Sequence, residues 1–369
     1  MLVNELKLQN FRCYEFLEFP VNKGITLVYG ENGSGKSSII EAFYFALSAK
    51  SFRSTDLNNL IKEKNDLTQT FISFNDTNGI KITKKTNEKC RILEVNTKKI
   101  LTYSQLIANY PTCLVENKEF FFTSSSPEEK RAYLNKILFY VEQENKHTLN
   151  ELKKTIYQRA ACLKIKDYEQ ISYWDKKLIE LEPKITKANS DIVDRINDLL
   201  SNSDIATYFS NKNPWINKLS LKFEPGYDSK LCFSEILTKN IEKDIILKRT
   251  SSGPHKRTFK LDINNKPADQ ILSRGQQKII AIILHLIQRE LIKSKTELEP
   301  IVLMDDISSE LDNDNCNLML KYLLDNSIQT IMTSIENTRF INEKDIIMFH
   351  VEQKGDKSNV RWCVRFRQY

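Results

Sequence analysis

The sequence GENGSGKS at residues 30–37 matches the phosphate-binding pattern G-x-x-x-x-G-K-[ST] at every fixed position. An apolar run at residues 25–29 predicts a buried strand leading in, and residues 38–43 predict a helix leading out. A strand, a glycine-rich turn and a helix N-terminus form a cradle for phosphate, because their backbone N–H groups can surround an anion. The sequence therefore predicts a nucleoside triphosphate site.

The residues of this loop have separate predicted roles. We expect Lys36 to reach the β- and γ-phosphates and to act in catalysis, and Ser37 to be a ligand of Mg²⁺. The glycines allow the backbone to approach the anion without a Cβ in the way. The other predicted nucleotide contacts in and beside the loop are Gly30, Asn32, Gly33, Ser34, Gly35 and Ser38.

Composition indicates a globular protein of a reducing compartment. The chain has 369 residues, of which 40% are hydrophobic and 28% charged, so it is long enough for two domains or for one domain with an insertion. Seven scattered cysteines without a C-x-x-C pair predict free thiols and a cytoplasmic location. No leader segment is visible, and the longest apolar run, at residues 279–287, is too short to cross a membrane.

The charge balance is mildly basic, with 55 Lys and Arg against 48 Asp and Glu, a net charge of +7. This bias is compatible with nucleic acid as a partner but does not establish one. A basic stretch can be interpreted equally as a phosphate-binding surface or as a solvated strand face. It contains Lys81, Lys84, Lys85, Lys89 and Arg91.

The pattern along the chain predicts a head interrupted by a helical insertion. Residues 1–125 are β-rich and residues 127–200 have apolar residues at helical spacing, followed after residue 217 by a helix-rich stretch. A helix at residues 274–291 and buried strands at residues 301–306 and 330–333 restore an α/β pattern. We therefore expect residues 1–125 and 217–369 to form one discontinuous head, and residues 126–216 a helical lobe.

Two acids follow a buried strand far from the glycine-rich loop in sequence. Asp305 is predicted to hold Mg²⁺ together with Ser37, and Asp306 to be catalytic by positioning an attacking water. Residues 36 and 305 lie towards opposite ends of the chain. One head assembled from both ends explains that spacing, and this plan is typical of ATPases of the ABC and SMC type.

In that class a signature segment precedes the acidic strand, and LSRGQQK at residues 272–278 occupies the corresponding place. Ser273 would cap a helix, Gly275 would allow close backbone approach, and Gln276 would help to bind the nucleotide. Such a helix N-terminus is expected to face the γ-phosphate held by a second copy of the chain. SSELD at residues 308–312 matches the D-loop of the class, with Asp312 at the dimer seam.

Taken together, these motifs resemble the RecF recombination-repair ATPase family over nearly the full length. The opening LKLQNFRCYEFLEF carries Arg12, which the resemblance places near the nucleotide. The family order continues with GENGSGKSSIIEAFYFALSAKSFR, SPEEKRAYLNKIL, SGPHKR, LSRGQQK and DDISSELD. The resemblance implies an α/β fold, an ABC-type ATPase head assembled from both chain ends with an inserted helical lobe.

The resemblance also implies a function in recombinational repair, replication restart and the SOS response to DNA damage. An ATP-driven homodimer would clamp duplex or gapped DNA, slow hydrolysis with Mg²⁺ would release it, and RecR with RecO would link it to RecA loading. Two alternatives stay open at this point. One is an ATP-switched DNA-binding module without turnover, and the other is an SMC-like ATPase of another system such as phage defence.

Two segments depart from the family pattern. Gly-Pro-His-Arg-Asp-Asp is replaced at residues 253–258 by GPHKRT, which has lost both acids. The Ser-Pro-Glu-Asp stretch, which would couple the nucleotide to the lobe, is replaced at residues 116–119 by ENKE. His255 lies in the first segment, either near the site or as a structural anchor of a turn.

Overall fold

The computed structural model describes residues 2–75, 78–116, 127–141, 145–307, 311–336, 346–354 and 357–363. The chain divides into two compact units. The first unit comprises Met1–Glu119 and Gln288–Tyr369, so it is built from both ends of the sequence, and the second comprises Phe120–Ile287. No helix of the described residues combines the length and the apolar character needed to cross a membrane.

The first unit contains an antiparallel sheet with the strand order β2-β1-β4-β5-β6-β7. In β4 and β5 buried and partly exposed residues alternate, so that one face of the sheet is buried and the other is partly exposed. β4 and β5 pair with each other in an antiparallel ladder. The strands are β1 (Val3–Phe11), β2 (Tyr14–Pro20), β4 (Leu67–Phe74), β5 (Gly79–Lys85), β6 (Arg91–Glu94) and β7 (Lys99–Ile100).

A second sheet of the first unit has the order β15-β14-β3-β13-β12-β8, parallel except for the β14–β15 pair. Its central strand β3 has four buried residues out of five, as expected for a parallel strand covered on both faces. The strands are β3 (Ile25–Tyr29), β8 (Thr112–Val115), β12 (Ile301–Met304), β13 (Thr330–Ser334), β14 (Ile346–Lys354) and β15 (Lys357–Cys363).

Helix α1 (Lys36–Ser48) connects the cores of the two sheets. It contacts β1, β4 and β5 of the first sheet and β8, β12 and β13 of the second. Eleven of its thirteen residues are buried, because apolar side chains face both sheets. This burial fixes the N-terminus of α1 directly after β3. The other helices of the unit are α2 (Tyr103–Asn109) and α9 (Asn313–Asp325).

The second unit is a set of helices with a small sheet of order β11-β10-β9. Helices α4 and α5 pack against each other, and α5 buries Leu178, Leu181 and Ile185 at the predicted helical spacing. The helices are α3 (Pro127–Val141), α4 (Asn145–Ile165), α5 (Tyr168–Asn202), α6 (Asp204–Ser210), α7 (Phe233–Leu247) and α8 (Arg274–Thr296), whose last turns belong to the first unit. The strands are β9 (Leu219–Glu224), β10 (Thr258–Ile263) and β11 (Lys266–Pro267).

The stretch after residue 217 differs from its prediction. A helix-rich stretch is wrong for its beginning, because β9 pairs there with β10 in an antiparallel ladder. The side chain of Asn197 on α5 fixes this ladder, accepting from Leu221 N–H at 2.8 Å and donating to Leu221 O at 2.9 Å. Residues 217–287 therefore lie in the compact unit of the helices, whereas the predicted lobe ends at residue 216.

Candidate functional site

The glycine-rich loop follows β3 with a backbone that only glycine accommodates at its first position. Gly30 has φ 151°, and a Cβ there would stand 2.3 Å from the carbonyl oxygen of Val351. Gly33 and Gly35 have φ 82° and 109°, in the left-handed region that a side chain disfavours. Gly35 is the N-cap of α1, and no side chain caps it. The first turn of α1 is thus left available to an external acceptor.

Lys36 folds back over this loop. Its Nζ donates to the carbonyl oxygens of Gly30 and Glu31, both at 2.7 Å, and the residue is 7% exposed. Burial lowers the pKa of Lys36, while the nearby carboxylates of Asp306 and Asp305 act in the opposite direction. The direct partners of the ammonium are therefore neutral, and the group is partly desolvated. An anion bound beside it would stabilise its charge.

A cavity of about 430 Å³ opens over the loop and the start of α1. It combines backbone and hydroxyl groups of the loop with two arginines and the acid that follows β12, which is the composition a charged ligand with a metal ion requires. Its lining comprises Arg12, Cys13, Asn32, Gly33, Gly35, Lys36, Ser37, Ser38, Arg53, Asn59, Ile61, Glu63, Asp306 and Thr333.

The two acids after β12 are organised by Thr333 on the neighbouring strand β13. Thr333 Oγ1 donates to Asp305 Oδ1 at 2.8 Å and accepts from Asp306 N–H at 2.7 Å. Asp305 is buried, and Asp306 has the left-handed φ of 47°. One hydroxyl thus orients the buried carboxylate and holds the turn that brings Asp306 to the cavity. The sequence analysis gave Thr333 no role.

Arg12 lies at the turn between β1 and β2 and is held by a buried carboxylate. Its guanidinium donates to Glu41 at 2.9 Å and 2.7 Å, and Glu41 is fully buried on α1. Ser51 Oγ also donates to Glu41, at 2.5 Å, and an Arg53 nitrogen lies 3.7 Å from it. Glu41 therefore anchors both arginines that line the cavity. The sequence analysis missed it, although a lone acid within an apolar helix is a signal.

The remaining predicted site residues lie outside this cavity's lining. Ser273, Gly275 and Gln276 belong to the second unit, where Ser273 N–H donates to Gln276 Oε1 at 2.9 Å and Gln276 N–H to Ser273 Oγ at 3.4 Å. This reciprocal pair starts α8, consistent with a capping residue at 273. Asp312 caps α9 by accepting from Asn315 N–H at 2.8 Å. The rest of the D-loop, residues 308–310, and residues 117–119 lie outside the described residues.

The segment at residues 253–258 is a buried turn of the second unit. His255 Nε2 lies 3.0 Å from Thr250 O, and burial lowers its pKa to about 4. Arg257 is also buried, and its guanidinium donates to Asn189, Asn135 and Pro254 O. Burial, followed by the charge of Arg131, lowers the pKa of Arg257 to about 10. The basic departure at this segment is therefore internal rather than on the surface.

The donor set of the cavity fits a triphosphate with a divalent cation. Ser34 Oγ is buried in the loop and has no hydrogen-bond partner in the described part of the chain, which leaves it available to a ligand. No group of three or more His, Cys, Asp or Glu side chains that could hold a metal occurs in the described part of the chain. A cation at Ser37 and Asp305 would therefore need phosphate oxygens and water as further ligands, as Mg²⁺ does in nucleotide sites.

The model of the RecF/RecN/SMC N-terminal domain matches residues 2–358. The chain belongs to this family. RecF/RecN/SMC relatives match it over almost their whole length: the DNA replication and repair protein RecF of Shewanella sp. strain MR-7 is 29% identical over 96% of this chain and 98% of its own. The protein of the same description from Shewanella oneidensis is 29% identical over 95% and 98%.

Solved structures of the family share the fold. The recombination mediator protein RecF with ATP has a TM-score of 0.80 at 22% identity, covering 98% of this chain and 99% of its own. An SMC head bound to the C-terminal winged-helix domain of ScpA has a TM-score of 0.58 at 17% identity, covering 98% of both chains. The predicted α/β fold of the ABC and SMC class, and the predicted family, are confirmed.

Proposed function

We propose that this protein is a RecF-like ATP-dependent DNA-binding protein of recombinational repair and replication restart. The observation that carries the proposal is the cavity in which the loop cation Lys36, the first turn of α1 and Asp306 meet. Relatives described as RecF DNA replication and repair proteins, matched over nearly their full length, support the biological setting. Neither alternative from the sequence has a specific observation in its favour.

ATP is the proposed ligand of this cavity. Lys36 would exchange its two carbonyl partners for the β- and γ-phosphates, because an anion compensates a buried ammonium better than neutral oxygens do. Gly30, Asn32, Gly33, Ser34, Gly35 and Ser38 would surround the phosphates, and Arg12 would contact the nucleotide. Mg²⁺, held by Ser37 and Asp305, would neutralise charge that develops on the phosphates.

Asp306 is the proposed residue that orients the attacking water. Its backbone N–H is fixed by Thr333, so the carboxylate enters the cavity from a held turn rather than from a mobile loop. Asp305 has a different proposed role from Asp306, because one of its carboxylate oxygens already accepts a hydrogen bond from Thr333. We expect turnover to be slow in the monomer, since a composite site would be complete only in a dimer.

The second half of the proposed site comes from another copy of the chain. Ser273 and Gln276 form a reciprocal cap at the start of α8, and Ser273 is exposed. ATP bound to one copy would contact Ser273, Gly275 and Gln276 of the other, with Asp312 near the seam. The ATP-closed homodimer would hold duplex or gapped DNA and assist RecA loading through RecR and RecO.

Gel filtration with ATP and Mg²⁺, with and without a gapped duplex, tests the composite site. We expect the wild-type chain to elute as a dimer with ATP and as a monomer without it. Ser273→Arg should stay monomeric while retaining nucleotide affinity, because the new side chain obstructs only the partner's site. Ser294→Arg is the matched control, since it places the same side chain on an exposed position near the other end of α8. Dimerisation of Ser273→Arg at the wild-type nucleotide concentration would contradict the composite site.

A further inference from the structure

The partly exposed face of the antiparallel sheet carries a second cavity, of about 460 Å³, away from the nucleotide loop. It lies on β4, β5, β6 and the turn that joins β5 to β6. Leu67 and Leu93 contribute apolar surface, and Gln69 Nε2 donates to Thr83 Oγ1 at 3.2 Å. Four cations and one carboxylate complete the lining: Lys81, Lys85, Lys89, Arg91 and Glu88.

We name the four cations Lys81, Lys85, Lys89 and Arg91 the basic patch. None of them forms a salt bridge with another described residue. Elsewhere on the same sheet, Lys7 is paired with Glu5 at 3.3 Å and with Glu18 at 2.9 Å. The sheet thus pairs its lysine on β1 with carboxylates, whereas the four cations of the basic patch have no ion pair with a described residue.

Strand alternation separates the basic patch from the fifth cation of the basic stretch. Lys84 lies on the opposite face, where it is 4% exposed and its Nζ donates to Asn58 Oδ1 at 2.7 Å and to Lys85 O at 2.6 Å. Its role is structural. Lys81 and Lys85 share the other face with Arg91, whose strand partner is Thr83. The stretch therefore divides into one internal lysine and four surface cations.

We propose that the basic patch binds the phosphate backbone of duplex DNA, an inference that rests on the proposed DNA-binding function. Lys85 lies four positions after Lys81 along β5, a distance of about 14 Å, and neighbouring strands lie about 5 Å apart. The patch is therefore too wide for one phosphate and spans several along a duplex strand, whose charges are spaced about 3.4 Å along the axis.

The chemistry of the lining favours a duplex over a single strand. No residue that lines this cavity is aromatic, so it offers no platform on which unpaired bases would stack. The contacts available are ionic and independent of sequence, as expected for backbone binding. Glu88 lies among the cations, and its carboxylate would disfavour tight wrapping by a flexible strand.

The test is a fourfold variant, Lys81→Gln, Lys85→Gln, Lys89→Gln and Arg91→Gln, measured by fluorescence anisotropy with a labelled duplex of about 30 base pairs. ATP and Mg²⁺ are present throughout, and the salt concentration is varied. The matched control removes four exposed cations of α4 and α5: Lys153→Gln, Lys154→Gln, Lys164→Gln and Lys176→Gln. Both variants lower the net charge by the same amount.

We expect the patch variant to lose about 100-fold or more in duplex affinity, and its salt dependence to become shallower by about 3 to 4 in log–log slope. Nucleotide affinity should be unchanged in both variants, and the control should bind duplex within about threefold of wild type.

A patch variant that binds duplex like the control would overturn the inference while leaving the proposed function intact. A wild-type chain that fails to bind duplex with ATP would overturn both. A single strand of the same length, or vesicles containing phosphatidylserine, bound through the patch in preference to duplex would also overturn it.

Discussion

Lys36 in the first unit and Arg159 in the second are both buried cations, but their surroundings differ. Lys36 has two backbone carbonyls as direct partners and lines an open cavity. Arg159 is 0% exposed and donates to Asp175 at 2.5 Å, to Asp244 at 2.7 Å and to Thr250 at 3.0 Å. Burial raises the pKa of Asp175, against the opposing effect of Arg159.

The difference in direct partners distinguishes a buried charge with a structural role from one that is available to bind a ligand. Arg159 is neutralised within its own unit and joins α4 to α5 and α7 through their acids. Lys36 has no direct anionic partner among the described residues, and the space beside it is large enough for a phosphate chain. A buried charge held by neutral oxygens next to a cavity therefore indicates a binding role, whereas one held by carboxylates indicates a structural role.

Removing Arg159 should give the largest effect. Arg159→Met would leave Asp244, which is 1% exposed, without its cation, and breaking a buried ion pair from one side costs about 3–5 kcal/mol. Urea denaturation followed by circular dichroism measures the loss. Arg249→Met is the matched control on an exposed arginine and should change the stability by less than about 0.5 kcal/mol. Equal stabilities of the two variants would contradict a structural role for the buried ion pairs of Arg159.

Removing Lys36 should weaken nucleotide binding rather than stability. Lys36→Ala is expected to weaken ATP binding by at least about 100-fold, or about 2.7 kcal/mol, because the phosphates lose their buried ammonium partner. The stability of the apo chain should be almost unchanged, since the lysine has only neutral direct partners. Calorimetric titration gives the affinity and urea denaturation the stability, with the exposed Lys23→Ala as control. A large loss of stability with intact affinity would assign Lys36 a structural role.

Glu41 belongs to a buried ion pair, as Arg159 does, and also lies next to the nucleotide cavity, as Lys36 does. Its substitution should have the smallest effect of the three. It is a buried acid paired with Arg12, as in the second unit, but Arg12 lines the cavity. Glu41→Gln should weaken ATP binding by about 10-fold through misplaced Arg12, because the amide keeps only one of the two oxygens that accept from its guanidinium. The loss of stability should be smaller than for Arg159→Met, since that oxygen still accepts. In a double-mutant cycle, Glu41→Gln combined with Arg12→Gln should cost no more affinity than Arg12→Gln alone. Additive losses would show that Glu41 acts independently of Arg12.

The sequence was sufficient to predict the position of the glycine-rich loop, because the strand, the turn and the helix that define it are contiguous in the chain. It was also sufficient for the acids after β12, whose strand is a short apolar run ending in Asp305. Thr333 could not be assigned from sequence, since its bonds to both acids depend on the parallel register of β12 and β13. The strand β9 was missed for a similar reason: its partner β10 lies more than thirty residues further along.

Some missed features had local signals. Lys84 follows Ile80 and Ile82 at alternate positions of β5, which places it on the buried face, apart from Lys81 and Lys85. The second unit's Asn197, which completes the β9 ladder, carries no such signal, because a polar residue on a helix is ordinary. Side chains that fix the backbone of distant segments thus remain the part of this structure that sequence patterns predict least.

The neighbours of β3 have a consequence for how the protein is made. This strand, which delivers the glycine-rich loop, pairs with β13 on one side and β14 on the other, and Gly30 lies against Val351 of β14. When residue 37 leaves the ribosome, both neighbouring strands are still hundreds of residues from synthesis. Pairing across such separations is slow and comes late, so the nascent chain cannot assemble its loop early. The glycine-rich loop can therefore reach its final form only after β13 and β14 have been synthesised.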